Sequence, residues 1–263
     1  MKNACTNTKS EQLSGQSISA GLALGTPQTE RASAVQVQQA IARHVALIDT
    51  LAKAIELRPD YPSEHMRRCK AYMGLFFDLL KKDVRYAQQV DGWDRTLVVA
   101  SAQLHDIGKF AVPSRILNKP GRLSAAEFDL MSRHASIGRR MIQQLYADLP
   151  DLGQAPSSEQ AVEEVEPEYL RFAECFAYSH HERWDGSGYP EGLRGSAIPL
   201  PGRMMALIDV YDALTSIRPY KPAFSHERAL AIIKEGAGKQ FDPGLVEVFA
   251  AHAQSFAKLK LRS

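Results

Sequence analysis

The chain has 263 residues, of which 44% are hydrophobic and 24% charged, and a formal net charge of +2. That length holds one large domain or two small ones, and the composition is that of an ordinary globular protein. The near-neutral charge argues against a general binder of DNA or RNA polymers, but a local basic patch could still take a small anion.

Three cysteines, Cys5, Cys69 and Cys175, lack the spacing of a metal finger. With no secretory leader in view, they point to free thiols in a reducing, cytoplasmic setting. No stretch approaches the ~20 apolar residues of a membrane span, so a soluble protein without membrane contact is expected.

Residues 1–32 are rich in Ser, Thr, Gln, Gly and Asn and read as a mobile tail. From Ser33 the apolar residues Val37, Ile41, Val45, Ile48, Ala52 and Ile55 recur at three and four residues, one face of a helix over 33–58. That face either packs on its own domain or forms a short coiled-coil seam, which would make a homodimer through 33–58. Pro59 and Pro62 break the pattern, and a domain over 59–263 follows. Its first helix runs from Ser63 to Lys82, with Met66, Met73, Phe76, Phe77 and Leu80 as core candidates.

Asp94 is a candidate N-cap for a buried helix through Leu97, Val98, Ala100, Ala102 and Leu104. That helix delivers His105, Asp106 and Lys109 at its end. Burying such groups without partners is costly, so they form either a satisfied core pair or a site. Ser124 and Glu127 have capping-box spacing ahead of a helix with Met131 and His134, followed by a second segment from Ile137 to Leu145. Residues 146–167 are acidic and polar and read as a flexible insertion.

A helix from Glu168 to Glu182 carries His180 and His181, and Asp185-Gly186-Ser187-Gly188-Tyr189-Pro190 follows. Paired imidazoles suit a borderline transition metal. Each glycine would cost about 1 kcal/mol inside a helix, so the helix ends there and a loop begins. Taken alone, a surface histidine pair before an ordinary turn explains this stretch equally well. After a loop over 190–201, Gly202 to Ile217 is an apolar helix with Asp209, Tyr211 and Asp212, stopped by Arg218-Pro219-Tyr220-Lys221-Pro222. Two closing helices follow, Arg228 to Lys234 behind Ser225, and Pro243 to Lys258. There is no convincing strand and no repeat, so the fold is expected to be all-α, a helical bundle.

Together His65, His105, Asp106, His134, His180, His181 and Asp209 are five imidazoles and two carboxylates on helices with apolar inner faces. A bundle can aim such groups at one point. They exceed the needs of one tetrahedral ion and suffice for two octahedral ions sharing a bridging carboxylate. Paired ions of that kind form a clamp for phosphodiester hydrolysis.

The ordered set His105-Asp106-Ile107-Gly108-Lys109, His180-His181-Glu182, Asp185 to Pro190, Asp209 to Thr215, Arg218 to Pro222 and Phe241-Asp242-Pro243 resembles the bacterial HD-GYP family of the HD phosphohydrolase superfamily, from about Leu51 onward. The resemblance implies a cyclic di-GMP phosphodiesterase that opens its substrate to linear pGpG and, in some members, on to GMP, with iron or manganese as cofactor. It implies that Asp106 bridges two metals, that His105, Asp209 and His65 complete one site, and that His134, His180 and His181 hold the other. Lys109 would polarise the scissile phosphate, Arg218 and Lys221 would grip the phosphates, and Tyr189 and Asp212 would contact the nucleotide.

Some members carry a glutamate four residues before the first histidine ligand and bind a third metal. Tyr61 stands at that position, so two metals are expected, with the neighbouring Glu64 pointing elsewhere. No sensory domain is expected in the short tail. Three other readings stay open: a cyclic GMP-AMP phosphodiesterase, a non-catalytic signalling module that docks a partner such as a diguanylate cyclase domain, and a di-iron oxygenase.

Overall fold

The computed structural model describes residues 27–57, 64–147, 165–217 and 222–261. Tyr61, Arg218, Lys221, residues 1–26 of the tail and residues 148–164 of the insertion lie outside the described residues. Among those described there is no strand, only two isolated bridges, Asp185 with Arg194 and Ala237 with Phe241. The fold is all-α, as the periodicity required.

Helix α1 spans Pro27–Glu56. It starts six residues before Ser33, within the segment read as tail. Ile41, Ile48, Ala52 and Ile55 are buried, so the apolar stripe packs on its own domain; the side chain of Val37 lies outside those described. Helix α2 spans His65–Leu80, and all five expected core residues are buried. Helix α3 is Arg95–Ser101, and the Asp94 carboxylate accepts from Thr96 N and Leu97 N as its N-cap. A 3₁₀ turn, Ala102–Leu104, extends it toward His105.

The one-turn helix α4, Ser114–Leu117, leads to α5, Ala125–Ala147. Two segments were expected where α5 is continuous: Gly138 sits inside it, against Gly108 of the preceding 3₁₀ turn Ile107–Ala111. Helix α6 is Val165–Ser179 and stops before the histidine pair, which the sequence placed inside it. Helix α7, Leu200–Thr215, begins two residues early because Pro201 is favourable in a first turn. Helix α8 is His226–Glu235, capped by the Ser225 hydroxyl, which accepts from Arg228 N. The single closing helix expected from Pro243 is two, α9 (Pro243–Ala251) and α10 (Ala253–Leu261), with His252 outside helical geometry at φ −117° and ψ 17°.

The core lies between α2, α7, α9 and α10. Tyr72 meets Tyr211 edge-on at 5.4 Å, Tyr211 meets Phe249 at 5.1 Å, and Phe249 tilts onto Phe256 at 4.4 Å. Buried aromatics supply large apolar area with directional packing. They set α2 against α7, and so place His65 opposite Asp209 and Asp212. A buried Arg203 donates to Asp242 Oδ2 at 2.6 Å and to Ile198 O at 2.9 Å, tying α7 to the start of α9.

Candidate metal centre

The seven candidate ligands come from five places in the chain, and the helices bring them to one point. His65 opens α2, His105 and Asp106 follow the end of α3, His134 is on α5, His180 and His181 follow α6, and Asp209 is on α7. His65, His105, Asp106, His134 and His180 are buried.

Two groups of ligand atoms form, and Asp106 belongs to both: His65, His105 and Asp106 in one, Asp106, His134, His180 and His181 in the other. Its two oxygens divide between them. Oδ2 lies 3.4 Å from His105 Nε2, while Oδ1 faces His134 Nε2 at 3.6 Å and His180 Nε2 at 3.7 Å. Asp209 Oδ1 is 3.6 Å from His65 Nε2, on the first side.

The tautomers follow from the partners behind the rings. His105 Nδ1 lies 2.9 Å from Ala102 O, His134 Nδ1 2.7 Å from Met131 O, and His180 Nδ1 2.7 Å from Phe176 O. A carbonyl only accepts, so each Nδ1 carries the proton and each Nε2 turns a lone pair inward. His65 Nδ1 donates to Asp212 Oδ2 at 2.7 Å, with the same result.

The Nε2 atoms then face one another, at 3.3 Å between His65 and His105 and 3.5 Å between His134 and His180. Two inward lone pairs repel unless a cation or proton lies between them. In the second pair burial works against the proton, lowering the His134 imidazole to about 4, and the neighbouring His181 is likewise held well below the usual histidine range. Atoms about 2.1 Å from one ion stand about 3.0–3.4 Å apart, close to the spacings present. The donor set therefore fits divalent metal ions.

Burial alone would raise the Asp106 carboxyl, but the Lys109 ammonium and then His105 hold it well below the usual carboxylate range. Lys109 Nζ lies 2.6 Å from Asp106 Oδ2. Between them Gly108 lets the turn lie directly on α5: a Cβ there would come within 1.9 Å of His134 O.

The loop after α6 folds back over the pair. Tyr189 N donates to His181 O at 3.2 Å, and the Tyr189 ring stacks on His181 at 4.8 Å. Glu182 is no ligand. Its buried carboxylate accepts from Glu191 N at 2.7 Å and Leu193 N at 3.0 Å, stapling the loop to itself. Gly188 permits that return, since a Cβ would lie 2.3 Å from Arg183 N.

Asp212 departs from expectation. It was expected to contact the nucleotide but is buried behind His65, taken up by His65 and by Arg68, whose Nε donates to Oδ1 at 2.6 Å. The sequence reasoning missed Arg68 altogether; its place one turn after His65, on the same helix face, was the available signal. Glu64 points elsewhere, as expected, and pairs with Arg67.

A family model for the HD domain matches residues 49–245. A cyclic di-GMP phosphodiesterase of Vibrio cholerae serotype O1 is 40% identical over 226 residues, covering 86% of this chain and 43% of that protein. A 3'3'-cGAMP-specific phosphodiesterase 2 of the same organism is 31% identical over 214 residues, covering 81% of this chain and 36% of that protein. The chain thus spans less than half the length of these curated relatives. A crystal structure of a V. cholerae cyclic GMP-AMP phosphodiesterase, V-cGAP3, matches with a TM-score of 0.50 at 22% identity, over 82% of this chain and 50% of that one, a likeness of fold. No helix among the described residues is long and apolar enough to cross a membrane.

Proposed function

The chain belongs to the HD domain family and carries the HD-GYP motif set, and on that premise we propose that it is a metal-dependent phosphodiesterase hydrolysing cyclic di-GMP to linear pGpG. The observation that carries the reading is the division of Asp106, one oxygen toward His105 and the other toward His134 and His180. A carboxylate so placed serves as a bridge between two ions. His65, His105 and Asp209 would hold one, His134, His180 and His181 the other, with iron or manganese the expected metals. Bound there, the ions would supply Lewis acidity and a water of lowered pKa.

The protein's own part is positioning. Backbone carbonyls and Asp212 aim the imidazoles. Lys109, 28% exposed, reaches from the rim to the centre and can neutralise charge on a phosphate oxygen. Tyr189 walls one side. Arg218 and Lys221 are assigned to the phosphates by the motif alone.

The relative specific for 3'3'-cGAMP supports a second reading, cyclic GMP-AMP, which presents the same phosphodiester ring. The test is to incubate the metal-loaded full chain with both cyclic dinucleotides and separate the products. Turnover of cyclic di-GMP to pGpG is expected, as is loss of both metals and all turnover in Asp106→Ala. Two bound metals without turnover of either ligand would overturn the enzyme reading in favour of a signalling module that docks a partner such as a diguanylate cyclase domain.

A further inference from the structure

A large aromatic side chain beside the centre stands half in water. Phe128, on the first turn of α5, is 51% exposed. Its ring meets Tyr189 edge-on at 5.7 Å, Tyr189 stacks on His181 at 4.8 Å, and Tyr189 also approaches His134 edge-on at 6.4 Å. A line of rings therefore runs from the candidate ligands out to solvent, and Phe128 is its outer end.

The mounting of Phe128 is firm. Ser124 N donates to Glu127 Oε2 at 2.8 Å, Glu127 N donates to Ser124 Oγ at 3.3 Å, and Lys119 pairs with the same Glu127 carboxylate. Phe128 N donates to Ser124 O at 2.8 Å, closing the first helical turn. Phe128 lies six positions before His134 on the same helix, about 9 Å along its axis.

We propose that the solvent-facing ring of Phe128 is a stacking platform for a purine base of the cyclic dinucleotide, with the phosphodiester at the His/Asp centre and the base reaching outward past Tyr189. The inference rests on the function proposed above and assigns a base-positioning residue to it. Single exposed apolar side chains are common and need no explanation by themselves. Here the exposed ring is the end of an aromatic wall that starts at a candidate ligand and is braced by a complete capping box. Stacking uses the π face that every base has, so it adds affinity without telling guanine from adenine.

The test is steady-state kinetics with cyclic di-GMP and cyclic GMP-AMP on the manganese-loaded full chain: wild type, Phe128→Ala, Phe128→Leu and Phe128→Tyr. Leucine keeps apolar bulk on the helix but has no flat face, which separates stacking from burial. Alanine and leucine should raise KM about ten-fold, within the range for loss of a base-stacking aromatic, and leave kcat within about two-fold. For any ligand turned over, the ratio should be the same, and tyrosine should restore it. Calorimetric titration of cyclic di-GMP on a Lys109→Ala background, where turnover is slowed, should read the same fold-loss between Phe128 and its variants. Wild-type KM in the leucine or alanine variant overturns the platform while leaving the hydrolase reading intact. No turnover of either ligand by the wild type overturns both.

Discussion

His65 donates its Nδ1 proton to Asp212 Oδ2 at 2.7 Å, while Arg68 holds the same carboxylate from the far side through Nε at 2.6 Å and Nη2 at 3.0 Å. Burial would raise the Asp212 carboxyl, but these two partners hold it down to about 2, so it stays anionic. A carboxylate behind an imidazole fixes the ring and strengthens its outward nitrogen as a ligand. Asp212→Asn should therefore lower metal affinity about 10–100-fold. Titration against a competing chelator measures this; wild-type affinity would mean that packing alone orients His65.

Lys109 should separate metal binding from turnover. Its ammonium faces Asp106 from the partly exposed rim, where a phosphate would arrive. Lys109→Ala should keep the full metal complement and lose about 10²–10³ in kcat, the usual cost of a missing charge-stabilising donor. Elemental analysis alongside kinetics checks it, and unchanged turnover would remove Lys109 from the chemistry.

Gly108→Ala should act on the fold. The added methyl would sit 1.9 Å from the His134 carbonyl oxygen and 2.6 Å from Gly138 N, both backbone atoms that cannot rotate away. Overpacking of this kind costs about 1–3 kcal/mol and sometimes more. Denaturant unfolding should show a loss at the upper end of that range or beyond, because the 3₁₀ turn and α5 must separate. A loss under about 0.5 kcal/mol would mean that the two elements part freely.

The capping box below Phe128 has its own pH window. The Lys119 side chain, then Ser124 N, hold the Glu127 carboxyl at about 2 instead of 4.5. A carboxyl depressed in the folded state contributes stability above its unfolded value, and that contribution is lost as pH falls through the folded one. The cap should thus act fully above about pH 4.5 and fade toward pH 2. Side-chain carbon NMR of Glu127 should follow this titration, and Lys119→Ala should move the midpoint upward; an unmoved midpoint would exclude the ion pair as the cause.

Much of this was legible in the residues. Periodicity marked α1, apolar content marked α2 and α3, Asp94 and Ser124 announced their helices, and histidines and aspartates on predicted helices supplied the seven candidate ligands. What stayed hidden was tertiary. Glu182 adjoins two candidate ligands and was given no role of its own, and its carboxylate is spent on two amides nine and eleven residues later. Asp212 shares a motif with Asp209 but, three residues on, is turned into the core, toward His65 and Arg68.

The sequence by itself determined the helical class, the core faces and the identity of the candidate ligands, because helical period, capping chemistry and side-chain donor type are local properties. Tertiary structure alone decided that α1 lies on its own domain, that Asp106 turns one oxygen to each group, and that Asp212 stands behind His65. These depend on the approach and rotation of helices far apart in the chain, which the packing of Tyr72, Tyr211, Phe249 and Phe256 and the absent side chain of Gly108 set together.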